Sequence, residues 1–362
     1  MGGYAPLFFC LRGGSCVIES YVSTDYSALT WATVLLVQED KGLKVKGLVE
    51  DCAKAYPLSL TEAELNQPVQ KDTWHILNGV SKTLSDLERA TLRQIKEVYI
   101  LEAGLERHWD DQMFEKYVEK SNKMELMLEQ CAQFRFLYSC LHDAFEIVDW
   151  RNGDIRDKEI AQWYIEKIIK ELRVLSYPGA KRIAKELERQ KENLLTFFSW
   201  LEVQFTPWQQ EIKKAIPDDY MRNLFQAAIA RTWRLKKAVL NGNKNFISAA
   251  EDAEALLCEL IAYDEDMRKL AQSLLCILEN TIRTSCMSET INSVLKRYLH
   301  IKKSFQSQET AQNFLYLFAL WHNIRAYKRG KRKGKSPFSM LGIDMGTNDW
   351  LELLGCPKEN IC

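Results

Sequence analysis

The sequence predicts a mostly α-helical protein of the α+β type, in which a short strand-containing start precedes a long all-α block. Apolar residues recur at the i, i+3, i+4 spacing of amphipathic helices from Trp74 to about Thr281. The first 51 residues instead contain short runs rich in aromatic and β-branched side chains, which are typical of strands. The two patterns predict a small α/β part and a large helical part.

Four short strands and one helix are predicted at the start. The strands are Pro6–Leu11, Ser15–Val22, Leu43–Val49 and Gln67–Lys71. Gly13-Gly14 is a hairpin-turn signal between the first two. Residues Asp25–Leu36 have helical spacing, and Thr24 or Asp25 can cap that helix.

Loop signals divide the helical block, and proline or Asn-Gly marks each of them. The predicted helices are Ser85–Leu101, Gln112–Leu141, Asp157–Leu175, Gly179–Phe198, Gln209–Ala215, Asp219–Leu240, Ile247–Tyr263 and Glu265–Asn280. Pro207 is one of the breaks, so Trp208 is expected in a loop, whereas most other tryptophans of the block are expected in the core.

Two further helices, Glu289–Leu299 and Ser307–Tyr327, precede a basic loop at Lys328–Lys335. A strand-rich start and a helical end therefore flank the helical middle. That middle is either a separate domain or an insertion into a domain that both ends complete.

Composition excludes several classes of protein. The 362 residues include 49 basic and 49 acidic side chains, so any contact with DNA must come from a local patch rather than from a general positive charge. The 10 cysteines show no Cys-x-x-Cys pair, which favours a reducing cytoplasm over a disulfide scaffold. No apolar run approaches the roughly 20 residues that a membrane helix needs, so no membrane partner is expected.

Asp51 and Glu289 are the acids that stand out. Asp51 follows a predicted strand, at the end where open α/β sheets place their sites. Glu289 lies among small polar residues in the first turn of a predicted helix. Phosphoryl transfer on DNA by two metal ions needs converging carboxylates, and Mg²⁺ prefers oxygen ligands. From the residues alone, each acid is more often a solvated surface charge.

Three motifs carry a family resemblance. Leu48-Val49-Glu50-Asp51-Cys52-Ala53, Ser288-Glu289-Thr290-Ile291-Asn292 and the pattern Gly-Lys-Arg-Lys-Gly-Lys-Ser-Pro at 330–337 stand in this order along the chain. Together they resemble bacterial insertion-sequence transposases of the DDE type. Cys52 departs from the glycine that usually follows the second Asp of the family, whereas Asn292 matches its usual asparagine.

The resemblance implies a partial ribonuclease-H-like α/β core interrupted by a large all-α insertion. The implied divisions are 1–75 for the first part of the core, 76–281 for the insertion, 282–340 for the last core helices with the basic loop, and 341–362 for a tail. The family's first Asp and its helix-turn-helix region have no counterpart here. We therefore expect an N-terminally truncated transposase with impaired nuclease activity.

The resemblance also implies site residues. Asp51 and Glu289 would be catalytic and would bind Mg²⁺ or Mn²⁺, with Asn292 as an accessory residue. Asp72 and His75 resemble an Asp-x-x-His pair of the family and could be accessory too. From the residues alone, Asp72 is more simply a helix cap and His75 a helix residue.

The basic loop is the stronger binding signal. Its cations are Arg325, Lys328, Arg329, Lys331, Arg332, Lys333 and Lys335. Lysine and arginine neutralise phosphates, and glycine lets the backbone approach them, although a charge run can also be only a solvated connection. The resemblance favours DNA as the partner, both the transposon ends and the target. It also implies a cytoplasmic protein associated with the nucleoid.

Two alternatives stay open. The chain could be a non-catalytic remnant that binds DNA, or one that binds itself or a full-length transposase and inhibits it. It could also be a helical interaction protein with no DNA role.

Overall fold

The computed structural model describes residues 5–11, 16–23, 25, 27–50, 55–262, 264–301, 305–329, 332–347 and 349–353. The chain divides into two compact units. The first unit combines residues 1–69 with residues 284–362, and the second is the continuous segment 70–283. Both ends of the chain thus belong to one unit. The corresponding divisions predicted from the sequence are 75/76 and 281/282.

The start of the chain carries strands β1 (Ala5–Leu11) and β2 (Cys16–Ser23), helix α1 (Ala28–Asp40), β3 (Leu48–Glu50), α2 (Ala55–Glu62) and β4 (Val69–Lys71). The middle carries α3 (Thr73–Arg107), α4 (Asp111–Ala144), α5 (Lys158–Val174), α6 (Pro178–Leu194), α7 (Thr196–Ala215), α8 (Asp219–Leu240), a 3₁₀ turn (Lys244–Phe246), α9 (Ile247–Ile261) and α10 (Glu265–Asn280). The end carries α11 (Cys286–Ile301), α12 (Gln308–Ile324), α13 (Pro337–Met340) and α14 (Trp350–Leu353).

Helices dominate the described residues, which confirms the mostly α class. In the part of the chain that the structure describes, the strands form two separate pairs, β1 antiparallel to β2 and β3 beside β4. A ribonuclease-H-like core therefore stays a prediction. Helix α1 begins later than predicted, because Ser27 rather than Asp25 is its N-cap and accepts the Thr30 N–H through Oγ.

The core of the first unit joins β2 to the two helices near the chain end. Val17 and Val22 of β2 are buried against Ile291 and Leu295 of α11. The buried side chains of α12 that complete this cluster are Ala311, Leu315 and Phe318. The hydrophobic effect therefore holds the chain's start and end in one core.

Besides Gln308, whose Nε2 donates to the Val22 carbonyl at 3.3 Å, two amide side chains of α12 each make two bonds to the backbone of β2. Asn323 Oδ1 accepts the Val17 N–H at 2.8 Å, and Asn323 Nδ2 donates to the Val17 carbonyl at 2.8 Å. Gln312 Oε1 accepts the Val22 N–H at 2.8 Å, and its Nε2 donates to the Ser20 carbonyl at 2.6 Å. Each of these amides donates one bond and accepts one, as a residue of a neighbouring strand does. We call these four bonds the amide clamp.

The second unit is built from helix pairs. Helix α3 packs along α4, α5 along α6, α8 along α9, and α7 against α10. The two chain ends of this unit meet, because the Thr73 N–H and hydroxyl both donate to the Arg283 carbonyl, at 3.0 and 3.1 Å. The unit thus begins and ends at one place.

The prediction of a loop at Trp208 is wrong. Trp208 lies in α7, is 2% exposed and donates from Nε1 to the Leu270 carbonyl at 2.9 Å. Pro207 has no backbone N–H, so the Val203 carbonyl lacks its usual helical donor. Both residues are exposed, so water can bond that carbonyl, while burial of the neighbouring indole stabilises the helix.

We expect Asn323→Ala to lower the unfolding free energy by about 2–4 kcal/mol, because the buried N–H and carbonyl of Val17 would lose their amide partners. Urea unfolding measures this effect, and hydrogen exchange should show faster exchange of the Val17 amide. Asn313→Ala on the exposed side of the same helix is the control and should change stability by less than about 0.5 kcal/mol. Equal behaviour of the two variants would refute the amide clamp.

Candidate nucleic-acid interface

The basic loop follows directly from the clamped helix. Asn323 lies in the last turn of α12. Arg325 is the C-cap of this helix, and the Arg325 N–H donates to the Trp321 carbonyl at 3.0 Å. The position of the loop is therefore set by the same helix that the amide clamp holds on β2. His322 and Asn323, which precede Arg325, are both buried. Asn323 thus has a structural role that the sequence pattern did not indicate.

The backbone closes the loop at its base. The Tyr327 N–H donates to the Lys335 carbonyl and the Gly334 N–H to the Tyr327 carbonyl, both at 2.9 Å. Gly334 has a φ of +80°, a conformation that L side chains rarely adopt, so glycine is needed for this closure. After the loop, Ser336 caps α13 through reciprocal bonds with Ser339. The segment is therefore a built turn with fixed ends.

The cations of this turn face solvent. The exposed ones are Arg325, Lys328, Arg329, Lys333 and Lys335. Arg332 is half-buried, with its guanidinium 5.9 Å from the Tyr327 ring centre. The Arg325 guanidinium lies 4.2 Å from the Trp321 ring centre, a cation–π contact that orients it. Lys331 lies outside the described residues. The described cations can reach several phosphates without desolvation of buried groups.

Glu289 lies in the first turn of α11, where the helix dipole favours a negative charge. Its side chain and that of Asn292 are half-buried and share one helix face, because they are three residues apart. Asp51 lies outside the described residues, so its distance from Glu289 is not defined. Among the residues that are described, no three His, Cys, Asp or Glu side chains group closely enough to hold a metal ion.

Asp72 and His75 belong to the second unit. Asp72 is fully buried and is the N-cap of α3, accepting the Trp74 and His75 N–H groups at 2.8 and 3.2 Å. His75 is exposed. Helix capping thus accounts for Asp72, as the residues alone favoured, and the accessory role that the resemblance implies stays a prediction.

A cavity of about 200 Å³ lies in the second unit, between α4 and α8. Its lining residues are Ser139, His142, Asp143, Glu146, Trp150, Arg234, Leu235, Ala238 and Phe246. Trp150 and Phe246 meet edge to face at 5.2 Å on its apolar side. Glu146 is paired with Arg283 at 3.1 Å and with Arg234 at 3.5 Å. Sequence patterns did not reveal this half-buried charge cluster.

The arginines determine the charge state of Glu146. Burial by itself would raise the pKa of this carboxyl, but Arg283, Arg234 and Lys237 together outweigh burial, and the pKa is lowered. Arg283 also donates to the Phe145 carbonyl at 2.6 Å. Because Arg283 is the last residue of the unit, Glu146 helps to hold the point where the chain leaves it.

Comparison with protein-family models, with curated proteins and with solved structures finds no significant match to the chain. Its function is therefore inferred from the geometry of the basic turn.

We expect Glu146→Gln to lower the unfolding free energy at pH 7 by about 2–4 kcal/mol, because Arg283 and Arg234 lose their counter-charge. The pKa of the Glu146 carboxyl is lower in the folded protein than its unfolded value of about 4.3. The carboxylate therefore stabilises the fold fully above the unfolded pKa, and this contribution is lost as the pH falls through the folded pKa. The difference from wild type should shrink below about pH 4.

Urea unfolding at several pH values measures this difference. Glu125→Gln on the exposed side of α4 is the control and should match wild type throughout. A loss of stability in Glu146→Gln that is constant from pH 7 to 3 would contradict the role of the ionised carboxylate.

Proposed function

We propose that this chain is a DNA-binding protein of the DDE-transposase type, which holds DNA through its basic turn. The observation that supports this best is the turn at residues 325–335. It is closed by backbone bonds, and its described cations are mostly exposed. A merely solvated connection needs neither the closure nor the left-handed glycine. A turn with a closed base and cations of one sign is instead suited to the phosphates of a nucleic-acid backbone.

The residues contribute to binding in different ways. Lys328, Lys333 and Lys335 would neutralise phosphates, with release of counterions. Arg325 is held against the Trp321 ring, so its planar group loses little freedom when it bonds a phosphate. None of these interactions reads bases, so the turn gives affinity and register rather than sequence specificity.

The reaction implied by the resemblance is Mg²⁺-dependent cleavage and transfer of DNA strands. A divalent ion would supply the activation of the attacking oxygen. Glu289 at a helix N-terminus and Asp51 are the ligands that the resemblance assigns. The described residues alone do not form a complete metal site. What the geometry supports by itself is the positioning of DNA by the unit that also carries Glu289.

A non-catalytic DNA-binding role is the second candidate, because the basic turn accounts for binding without any acid. Such a protein could occupy transposon ends and inhibit an active enzyme. A helical interaction protein is the third candidate, and it requires no affinity for DNA.

We expect neutralisation of Lys328, Lys333 and Lys335 to alanine to weaken binding to duplex DNA by about ten- to a hundredfold. The slope of log K against log salt should fall by about 0.9 for each phosphate that the variant no longer neutralises. Fluorescence anisotropy at several salt concentrations measures both effects.

The matched control replaces Lys181, Lys213 and Lys214, three exposed lysines of the second unit, with alanine. It should bind like wild type. Equal weakening in both variants would indicate nonspecific attraction. No binding by wild type at low salt would favour the interaction protein.

Because the family's first Asp has no counterpart, we expect Mg²⁺-dependent nicking of supercoiled DNA by wild type to be weak at most. Glu289→Gln should remove any residual nicking and leave DNA affinity within about twofold, because the change removes one charge without a change in size. Glu309→Gln, in the first turn of α12, is the control and should match wild type in both nicking and DNA affinity. Nicking that survives in Glu289→Gln would exclude Glu289 as a metal ligand. DNA binding by wild type with no nicking would support the non-catalytic role.

A further inference from the structure

The C-terminal part of α3 and the N-terminal part of α4, with the turn between them, form a two-helix projection of the second unit. We call this projection the arm (residues 92–129). The structure describes all of these residues, and only Gln94 and Val98 among them are buried. Both are covered by the pairing of the two helices, and Gln94 Nε2 donates to the Lys120 carbonyl at 3.1 Å. The other helices of the unit therefore bury little of the arm.

One side of the arm is apolar and exposed. At its base, Glu88 of α3 and Arg135 of α4 form an ion pair of 2.6 Å, which places these two positions side by side. Leu92 and Tyr99 follow Glu88 by four and eleven residues, so they continue the same helix face. Their exposures are 64% and 69%.

The matching stripe on α4 follows a heptad spacing back from Arg135. Leu128 precedes Arg135 by seven residues and Phe114 by twenty-one, and their exposures are 44% and 40%. The small, half-buried Ser121 lies between them at the fourteen-residue position. At the far end of the arm, Trp109 is 60% exposed, and its ring lies 4.9 Å from that of Phe114. Each helix thus has a second apolar stripe besides the one that faces its partner helix. A single hairpin in water does not need this second stripe.

Charge is distributed unevenly along the arm. The tip, residues 102–115, carries five acids against Arg107, and these acids are Glu102, Glu106, Asp110, Asp111 and Glu115. The rest of the arm, its shaft, carries five cations against four acids, and these cations are Arg93, Lys96, Lys116, Lys120 and Lys123. Three of the lysines act on Glu97, where Lys120 pairs at 2.7 Å. An acidic tip therefore adjoins a weakly basic shaft.

We propose that the arms of two copies of this chain pair antiparallel through this apolar side and form a four-helix bundle. A layer of two helices with one apolar side is half of such a bundle. A twofold interface needs only one self-complementary surface. Antiparallel pairing places each acidic tip on the shaft of the other copy, whereas parallel pairing would place tip on tip.

The size of this surface agrees with a weak dimer. The part of α3 in the arm is about 24 Å long at 1.5 Å per residue, and two adjacent helices are about 20 Å wide. Two such faces together bury about 1,000 Å², near the lower limit for specific interfaces. The expected dissociation constant is therefore micromolar. The proposal is independent of DNA binding, so its failure leaves the role of the basic turn untouched.

Sedimentation velocity of the full chain without DNA, from about 1 to 100 μM, should show a monomer–dimer equilibrium. Leu92→Ser with Tyr99→Ser should raise the dissociation constant by at least about tenfold, because the centre of the interface loses its apolar side chains. The matched control is Val174→Ser with Val203→Ser. These side chains are 78% and 75% exposed on other helices of the same unit, and the control should dimerise like wild type.

A charge exchange tests the antiparallel order. Glu102→Lys with Glu106→Lys should weaken the dimer, and so should Arg93→Glu with Lys96→Glu, because each places like charges opposite each other. A chain that carries all four changes should recover affinity, which a merely structural disturbance would not produce. A wild-type chain that stays monomeric at 100 μM overturns the proposal. A dimer that survives Leu92→Ser with Tyr99→Ser also overturns it. So does a variant with all four charge changes whose dimer stays as weak as that of the double variants.

Discussion

The amide clamp of α12 on β2 organises the first unit. It joins residues 306 positions apart in the chain, and it places them next to a shared apolar core. A strand paired on one side has a row of donors and acceptors on its other edge, and leaving them unpaired inside a core is costly. Asn323 and Gln312 meet these groups with side chains, so a helix can cover an edge that would otherwise need another strand.

Two consequences follow from this long-range joining. The middle of the chain must leave the first unit and return to it, and the bonds between Thr73 and Arg283 close the second unit at its own base. The basic turn begins where the clamped helix ends, so its cations start from a fixed point. The same interaction thus explains why both chain ends share one unit and why the charge-rich segment starts from a fixed point.

The site residues show how far sequence patterns reach. The cations of the basic turn were predicted from their density, and their exposure follows from the high cost of burying charge. The burial of Asn323 was not predicted, because its partner Val17 lies 306 residues away in the chain. Glu146 was missed because an acid just after the end of a helix resembles a surface charge. Trp208 was placed in a loop because proline normally ends a helix, but burial of its indole overrides that local rule.

Local spacing and composition were enough to establish the mostly helical class, the antiparallel pairing of the first two strands, the long helices of the middle and the cationic segment after α12. Each of these features rests on interactions within a few residues, which periodicity and turn residues encode directly. The side chains that meet over long distances became known only from the folded chain. Asn323 on Val17, Glu146 between two arginines and the exposed side of the arm are examples. Their partners lie far apart in the chain, and the free energy of burial, rather than any local pattern, selects them.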